Sequence, residues 1–365
     1  VALTIGIDAR AAEEVPAGRG RYVRELLEHL ARLDHDHRFR LYCRLPKHGL
    51  GLDDRFTWIG IPRPDPAWHV AAALRASRDC DVYLSTNSYL TAWFTRIPTA
   101  CVVYDLVAFI EGTEAQPRAE RIEHATIRPA LRRSAALVCI SEATRADLIA
   151  RFPSAASKAT VVPLAADERF GVPLSEGELT RVRAEHALDG PYVLSVGTLE
   201  PRKNLERLVE AYAGLPEGLR SSYPLVLTGP KGWEIDALIE RVGASPHDIR
   251  LLGYVPELDL AALYQACTVF CYPSLYEGFG LPVLEAMAAG APVLTSNVSS
   301  LPEVAGGAAL EVDPLDVNAI RAGLAELLTS ASLRTDLTLR GRERAKAFSW
   351  ERTARETLET LERIV

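Results

Sequence analysis

The chain has 365 residues, 48% of them hydrophobic and 24% charged, with a formal net charge of −7. That length suits two globular domains, and the acidic balance disfavours a general nucleic-acid binder, which needs a basic face for phosphates. No apolar run reaches the roughly 18 residues that cross a bilayer, VALTIGIDAR reads as a first strand rather than a leader, and six cysteines without a C-x-x-C pair read as buried, reduced thiols of a cytoplasmic protein.

Taken in chain order, short β-rich runs alternate with amphipathic stretches. Strands are expected at 3–8, 39–43, 57–60, 81–85, 100–104, 136–140 and 160–163, with helices at 19–33, 67–77, 119–133 and 142–152. Pro163, Gly171 and Pro173 then break the pattern, and a linker is expected across 164–176. A second series follows, with strands at 192–196, 225–228, 249–252, 269–272, 293–295 and 309–312. Its helices are expected at 205–213, 235–242, 258–266, 281–289 and 317–328, and two more close the chain near 333–347 and 350–364. Such alternation predicts an α/β fold: two Rossmann-like, doubly wound domains, residues 1–166 and 176–349, facing a central cleft. Ligands of open α/β sheets sit beyond the carboxyl ends of the strands.

Two constellations carry chemistry. In SVGTLEPRKN (195–204) an apolar strand ends at Gly197 and a helix begins near Asn204, so Arg202 and Lys203 stand beside a helix N-terminus. Backbone N–H groups, the positive helix end and two cations together suit a diphosphate. In YEGFGLPVLEAMAAGAPVL (276–294), Glu277 and Glu285 are spaced E-x7-E. Gly278 and Gly280 leave the backbone bare for a ligand, and Pro282 fits the first turn of a helix starting at Leu281. Carboxylates placed there can accept hydrogen bonds from the hydroxyls of a sugar or ribose. A weaker signal, Gly18-Arg19-Gly20, reads by itself as a tight turn before a helix.

These strings, with IGIDAR, AGRGRYVREL, VCISEATRADL, VVPLAAD, LVLTGPKGW and FSWERTA, resemble glycosyltransferase family 4 over essentially the whole length. The likeness is strongest to bacterial mannosyltransferases of O-antigen and capsule synthesis. It implies a retaining, metal-independent GT-B hexosyltransferase without a cofactor, the nucleotide sugar being a substrate. GDP-mannose is the first donor expected and a UDP-sugar the second; the acceptor would be a glycan, a lipid-linked glycan or a small molecule. By the same resemblance Arg202 and Lys203 would bind the donor diphosphate, and Glu277 the donor sugar, helped by the Phe279–Gly280 backbone. Glu285 would take the ribose, and Gly229, Lys231, Tyr254 and Val255 would border the base. Gly18 and Gly20 would form a loop toward diphosphate and acceptor, Asp105 would belong to the catalytic set, and the last helix would return to the first domain. The enzyme would be cytoplasmic, with peripheral contact at the inner membrane face.

One departure stands out: Tyr104 precedes Asp105 where family members commonly have His. This leaves donor-sugar preference open and keeps one alternative in play, a non-catalytic relative that binds nucleotide sugars or acts as a scaffold. A nicotinamide oxidoreductase would need a complete G-x-G-x-x-G after the first strand, which 18–20 does not supply. Asp34-His35-Asp36 and Asp79-Cys80-Asp81 match D-x-D only at element ends, where aspartate is common, so no metal is expected.

Overall fold

In a computed structural model we describe residues 1–14, 18–46, 50–110, 116–243 and 248–365. They form two compact units. Unit 1 takes in residues up to Phe109, Pro117–Leu164 and the C-terminal Ser349–Val365; unit 2 takes in Ala165–Phe348.

Unit 1 is built on seven strands: β1 (Thr4–Asp8), β2 (Arg38–Cys43), β3 (Phe56–Gly60), β4 (Val82–Ser85), β5 (Thr99–Val103), β6 (Ala136–Cys139) and β7 (Ala159–Val161). They pair in the order β3-β2-β1-β4-β5-β6-β7, every pairing parallel. Unit 2 has six: β8 (Val193–Val196), β9 (Leu225–Thr228), β10 (Ile249–Gly253), β11 (Val269–Tyr272), β12 (Val293–Ser296) and β13 (Leu310–Val312). Their order is β10-β9-β8-β11-β12-β13, again parallel throughout. Strands such as LVLT and VFCY are apolar without alternation because both faces are covered, and β4, β5, β6, β9, β11 and β12 are buried at every position. In each sheet the order reverses once, between β1 and β4 and between β8 and β11, and at such switch points the loops part to leave a crevice.

The expected strands and long helices fall within a few residues of these bounds. Several short helices were not expected. Glu176–Glu185 buries only Val182, so it carries no apolar stripe to read; a Ser175–Glu178 capping box starts it. Within the expected linker, Asp167 caps a short helix, Glu168–Gly171, whose Phe170 is buried against Tyr264.

The last helix, Trp350–Glu362, belongs to unit 1 and packs on the helix Arg19–Arg32 and on β4, β5 and β6. Ser349 caps it by accepting the Arg352 N–H, with no reciprocal bond from Arg352. Trp350, Ala354, Leu358 and Leu361 form the buried stripe. Val365 continues the same spacing in sequence but lies past the helix end and is exposed. Three threonines share the buried face instead. Thr357 and Thr360 satisfy their hydroxyls on backbone carbonyls four residues back. Thr353 donates to Pro163 O at 2.6 Å, and His37 meets Glu362 at 2.8 Å, tying both helix ends to the unit.

Candidate functional site

In unit 2 the two strands flanking the switch point deliver the charged groups. The chain leaving β8 makes a 3-10 turn, Pro201–Lys203, then passes through Asn204 in the left-handed conformation (φ 58°) into the helix Leu205–Ala213. Asn204 fixes that corner by donating from Nδ2 to Pro273 O at 2.9 Å and Pro314 O at 2.7 Å. The chain leaving β11 carries Ser274 and Glu277 to the same place. Lys203 Nζ lies 2.6 Å from Glu277 Oε1, and an Arg202 Nη lies 2.8 Å from Glu277 Oε2. Glu277 Oε1 also accepts from Tyr272 OH at 2.9 Å and Ser274 Oγ at 2.7 Å. Arg202 further donates to Tyr276 O at 2.7 Å and to Glu200 at 2.5 Å. Ser299 and Ser300 hold the Glu277–Phe279 backbone: Ser299 Oγ accepts the Glu277 N–H, and Ser300 Oγ lies within 3 Å of the carbonyls of Glu277 and Phe279.

Burial by itself would push the Glu277 carboxyl up, but Arg202 and Lys203 outweigh it and bring the pKa down to about 2. Burial, reinforced by Arg202, pushes the Lys203 ammonium below its usual range against the pull of Glu277. Burial also works against charged Arg202, but Glu277 and Glu200 carry its pKa upward. Two cations and two carboxylates thus share one pocket of backbone with no net charge, and the cations are positioned before any ligand arrives. A cavity of about 330 Å³ borders the same turn, but Glu200, Glu206, Glu210 and Glu234 line it against two cations, Arg207 and Arg241. That excess of carboxylates makes it a poorer seat for an anion than the Arg202–Lys203 turn.

The second glutamate, Glu285, lies one turn into the helix Leu281–Ala289 and is buried, with Tyr264 OH 3.2 Å from its carboxylate. That helix starts from Gly280 at φ 110°, with no side chain capping its first N–H groups. Phe279 turns its ring onto Phe348, so only its backbone faces the loop chemistry. Gly229 follows β9 and Tyr254 and Val255 follow β10; Lys231 and Tyr254 are exposed and Val255 is buried. Gly229 has a packing reason to be glycine: at φ 147°, an added Cβ would stand 1.9 Å from Gly197 O. The two loops are laced together there, with Leu199 N–H donating to Pro230 O and Gly232 N–H to Leu199 O, both at 2.9 Å.

In unit 1, Gly18 (φ 56°) precedes the helix Arg19–Arg32. Gly20, expected to form a loop with Gly18, instead sits in the first helical turn and is buried, because the helix begins one residue earlier. Tyr104 and Asp105 follow β5. The Tyr104 ring packs edge-on against Tyr22, with centroids 5.5 Å apart, and lies under the Arg19 guanidinium at 5.1 Å. Asp105 accepts the Val107 N–H at 3.1 Å. Of the two D-x-D strings, Asp79-Cys80-Asp81 does structural work: Asp81 accepts the Thr4 N–H at 2.7 Å, and Asp79 pairs with Arg75. All six cysteines are free and buried.

The family model "Glycosyltransferase Family 4" matches residues 16–170, and "Glycosyl transferases group 1" matches residues 178–344. The O-antigen chain mannosyltransferase B of Escherichia coli is 39% identical over 293 residues, 79% of this chain and 75% of that protein. This chain is a family 4 glycosyltransferase. The serotype-specific mannosyltransferase WbdA of Escherichia coli is 33% identical over 73% of this chain, which spans only 34% of that longer protein. Anabaena HepE, solved with UDP and glucose, superposes with a TM-score of 0.79 over 99% of this chain and 100% of its own, at 14% identity. That likeness is one of fold, the GT-B glycosyltransferase fold.

Within this glycosyltransferase, Arg202, Lys203 and Glu277 meet directly, while Glu285, Gly229, Lys231, Tyr254 and Val255 lie on neighbouring loops and elements of the same unit. Sequence reasoning missed Glu200, Tyr272, Ser274 and Ser299. Tyr272 ended an apolar strand and gave no polar signal. Glu200 stands inside the first motif and Ser274 two residues before the second, two and three residues from the groups they hold. No helix among the described residues is long and apolar enough to cross a membrane.

Proposed function

We propose that the enzyme moves a hexosyl group from a nucleotide sugar to a saccharide hydroxyl, with retention at the anomeric carbon and without a metal. GDP-mannose is the first donor and a UDP-sugar the second; the acceptor is a glycan or lipid-linked glycan. The observation that carries this reading is the Arg202–Lys203–Glu277 cluster at the β8/β11 switch point. A diphosphate arriving there gains two cations whose geometry is already fixed, so little reorganisation is needed as charge builds on the leaving group. Glu277 holds both cations, and with Oε1 filled by Lys203, Tyr272 and Ser274 it keeps a lone pair on Oε2 for a sugar hydroxyl. The uncapped start of the helix Leu281–Ala289 adds a positive end, and Glu285, one turn further, is the ribose acceptor group. As the bond breaks, the anomeric carbon acquires oxocarbenium character, and stabilising the departing diphosphate is the protein's main lever.

The mannosyl preference draws on the Escherichia coli relative, named a mannosyltransferase; the UDP alternative draws on HepE, solved with UDP and glucose. The test is incubation with GDP-mannose or UDP-glucose and α-mannotriose, in the presence of EDTA, with NMR of the product. An α-linked product formed despite EDTA supports the reading. A β-linked product, or turnover restored only by Mn²⁺ or Mg²⁺, contradicts it.

A further inference from the structure

Tyr272 is the last residue of β11 and is buried, with its ring stacked on Phe270 at 5.9 Å. Packing at this strand end asks only for a ring, which phenylalanine would supply. The hydroxyl is a buried polar group that costs stability unless it finds partners. It finds two, and both belong to the donor cluster. Lys203 Nζ donates to Tyr272 OH at 2.6 Å, and Tyr272 OH donates to Glu277 Oε1 at 2.9 Å. Lys203 also donates directly to Glu277 Oε1 at 2.6 Å, so lysine, phenol and carboxylate close a triangle of hydrogen bonds.

This triangle fixes the direction of the lysine. An ammonium has three N–H donors. Tyr272 and Glu277 take two of them at set positions, which leaves one N–H already oriented when a ligand arrives. The triangle also bears on its charge. Burial and Arg202 both work against the Lys203 ammonium, while Glu277 and, more weakly, Glu200 favour it. Glu277 divides its carboxylate between two cations, because Oε2 pairs with Arg202 at 2.8 Å. The phenol oxygen gives the ammonium a second acceptor. Burial, with Glu277 beside it, pushes the phenol far above its ordinary range, so Tyr272 stays an O–H that donates to Glu277 while it accepts from Lys203.

We infer that Tyr272 is a positioning residue of the donor site: its hydroxyl aims the remaining Lys203 N–H at the diphosphate and keeps the ammonium charged. The inference rests on the donor reading above, and it makes the proton on Lys203 the limit of donor binding at alkaline pH. Tyr272→Phe removes one oxygen and keeps the ring. Without that acceptor the charged lysine loses a hydrogen bond, and it should give up its proton at lower pH.

The chain has five lysines, few enough to follow Lys203 by carbon-13 NMR at Cε in the full-length protein, its signal identified by its loss in Lys203→Arg. Lys203 should titrate about one pH unit or more lower in Tyr272→Phe than in wild type. Ser274→Ala is the control. It takes a hydroxyl 2.7 Å from the same Glu277 oxygen and leaves both acceptors of Lys203, so it should not lower the midpoint. GDP and UDP are titrated by calorimetry into wild type and Tyr272→Phe between about pH 7 and 9.5. The affinity lost in the variant should grow at least about threefold across that range, whereas a role in packing alone gives a constant ratio. Coincident midpoints, a Lys203 that stays charged throughout in both proteins, an equal drop in Ser274→Ala, or a ratio constant with pH overturns the inference and leaves the donor reading standing. Failure of wild type to bind either nucleotide overturns the donor reading, and the lysine midpoints then still decide whether Tyr272 holds Lys203. Circular dichroism spectra and melting curves of each variant separate loss of binding from loss of fold.

Discussion

Two glutamates show how the same side chain is set to opposite tasks. Glu277 has a folded pKa near 2, below the roughly 4.3 of an unfolded chain. Between those values the unfolded state binds more protons, so the stabilisation is fully present above about pH 4.3 and is lost as pH falls through 2. At neutral pH, removing this partner strands buried Lys203 and leaves Arg202 with Glu200 alone, a loss of about 3–5 kcal/mol. Glu277→Ala should therefore lower the urea midpoint as well as abolish turnover. Arg202→Ala and Lys203→Ala each leave Glu277 one cation, and each removes a charge-assisted contact to the diphosphate of about 1.5–3 kcal/mol. Both should cut kcat/KM at least tenfold with the fold retained; unchanged kinetics in both would remove the cluster from the mechanism. Glu123, on the helix Pro117–Arg133 of unit 1, behaves the other way, since burial and Asp105 push its carboxyl up. Its folded pKa near 7 means the native state binds more protons between about 4.3 and 7, and stability falls as pH rises through that window. Glu123→Gln should be the more stable protein at pH 8, by up to about 3 kcal/mol, and the gain should vanish as pH approaches 4.5. A gain independent of pH would show that Glu123 is not held in this way.

At the scale of elements, the loops after β8 and β9 are held so closely that one methyl group decides the matter. Gly229→Ala puts a carbon against Gly197 O in a positive-φ conformation. The strain alone costs about 1–3 kcal/mol, and the loop bearing Arg202 and Lys203 must shift. The variant should melt lower and bind nucleotide more weakly, whereas Gly18→Ala, with nothing within 4 Å of its added carbon, should cost only the backbone term. Elements of this kind were partly legible. The strands could be read to within a residue or two, most plainly where burial on both faces makes them largely apolar runs, as in β4, β5, β6, β9, β11 and β12. The helix Glu176–Glu185 could not, since its one buried residue leaves no periodicity. The motifs located Arg202, Lys203 and Glu277 but not their contact. That contact joins residues 74 apart and exists because β8 pairs with β11, a pairing written in sheet order rather than in local sequence. For the same reason Tyr272 and Ser299 were invisible as partners of Glu277, and the left-handed Ser299 (φ 55°) left no signature in SNVSS.

For the whole molecule, the C-terminal helix is part of unit 1 although nearly two hundred residues of unit 2 precede it. Trp350 is 2% exposed and packs beside Tyr22, which in turn supports Tyr104. Trp350→Ala should lower stability by about 3–5 kcal/mol. Deletion of Trp350–Val365 uncovers the apolar face of Arg19–Arg32, and an insoluble or inactive product is expected; a soluble, active truncation would refute the role given to this helix. The donor site itself is tested most directly by calorimetric titration of GDP and UDP into wild type and Arg202→Ala, with melting curves of both proteins. The account predicts that wild type binds at least one of the two nucleotides, and that Arg202→Ala binds it at least tenfold more weakly with its melting temperature little changed. Equal affinity in the two proteins, or no binding of either nucleotide to wild type, would contradict it.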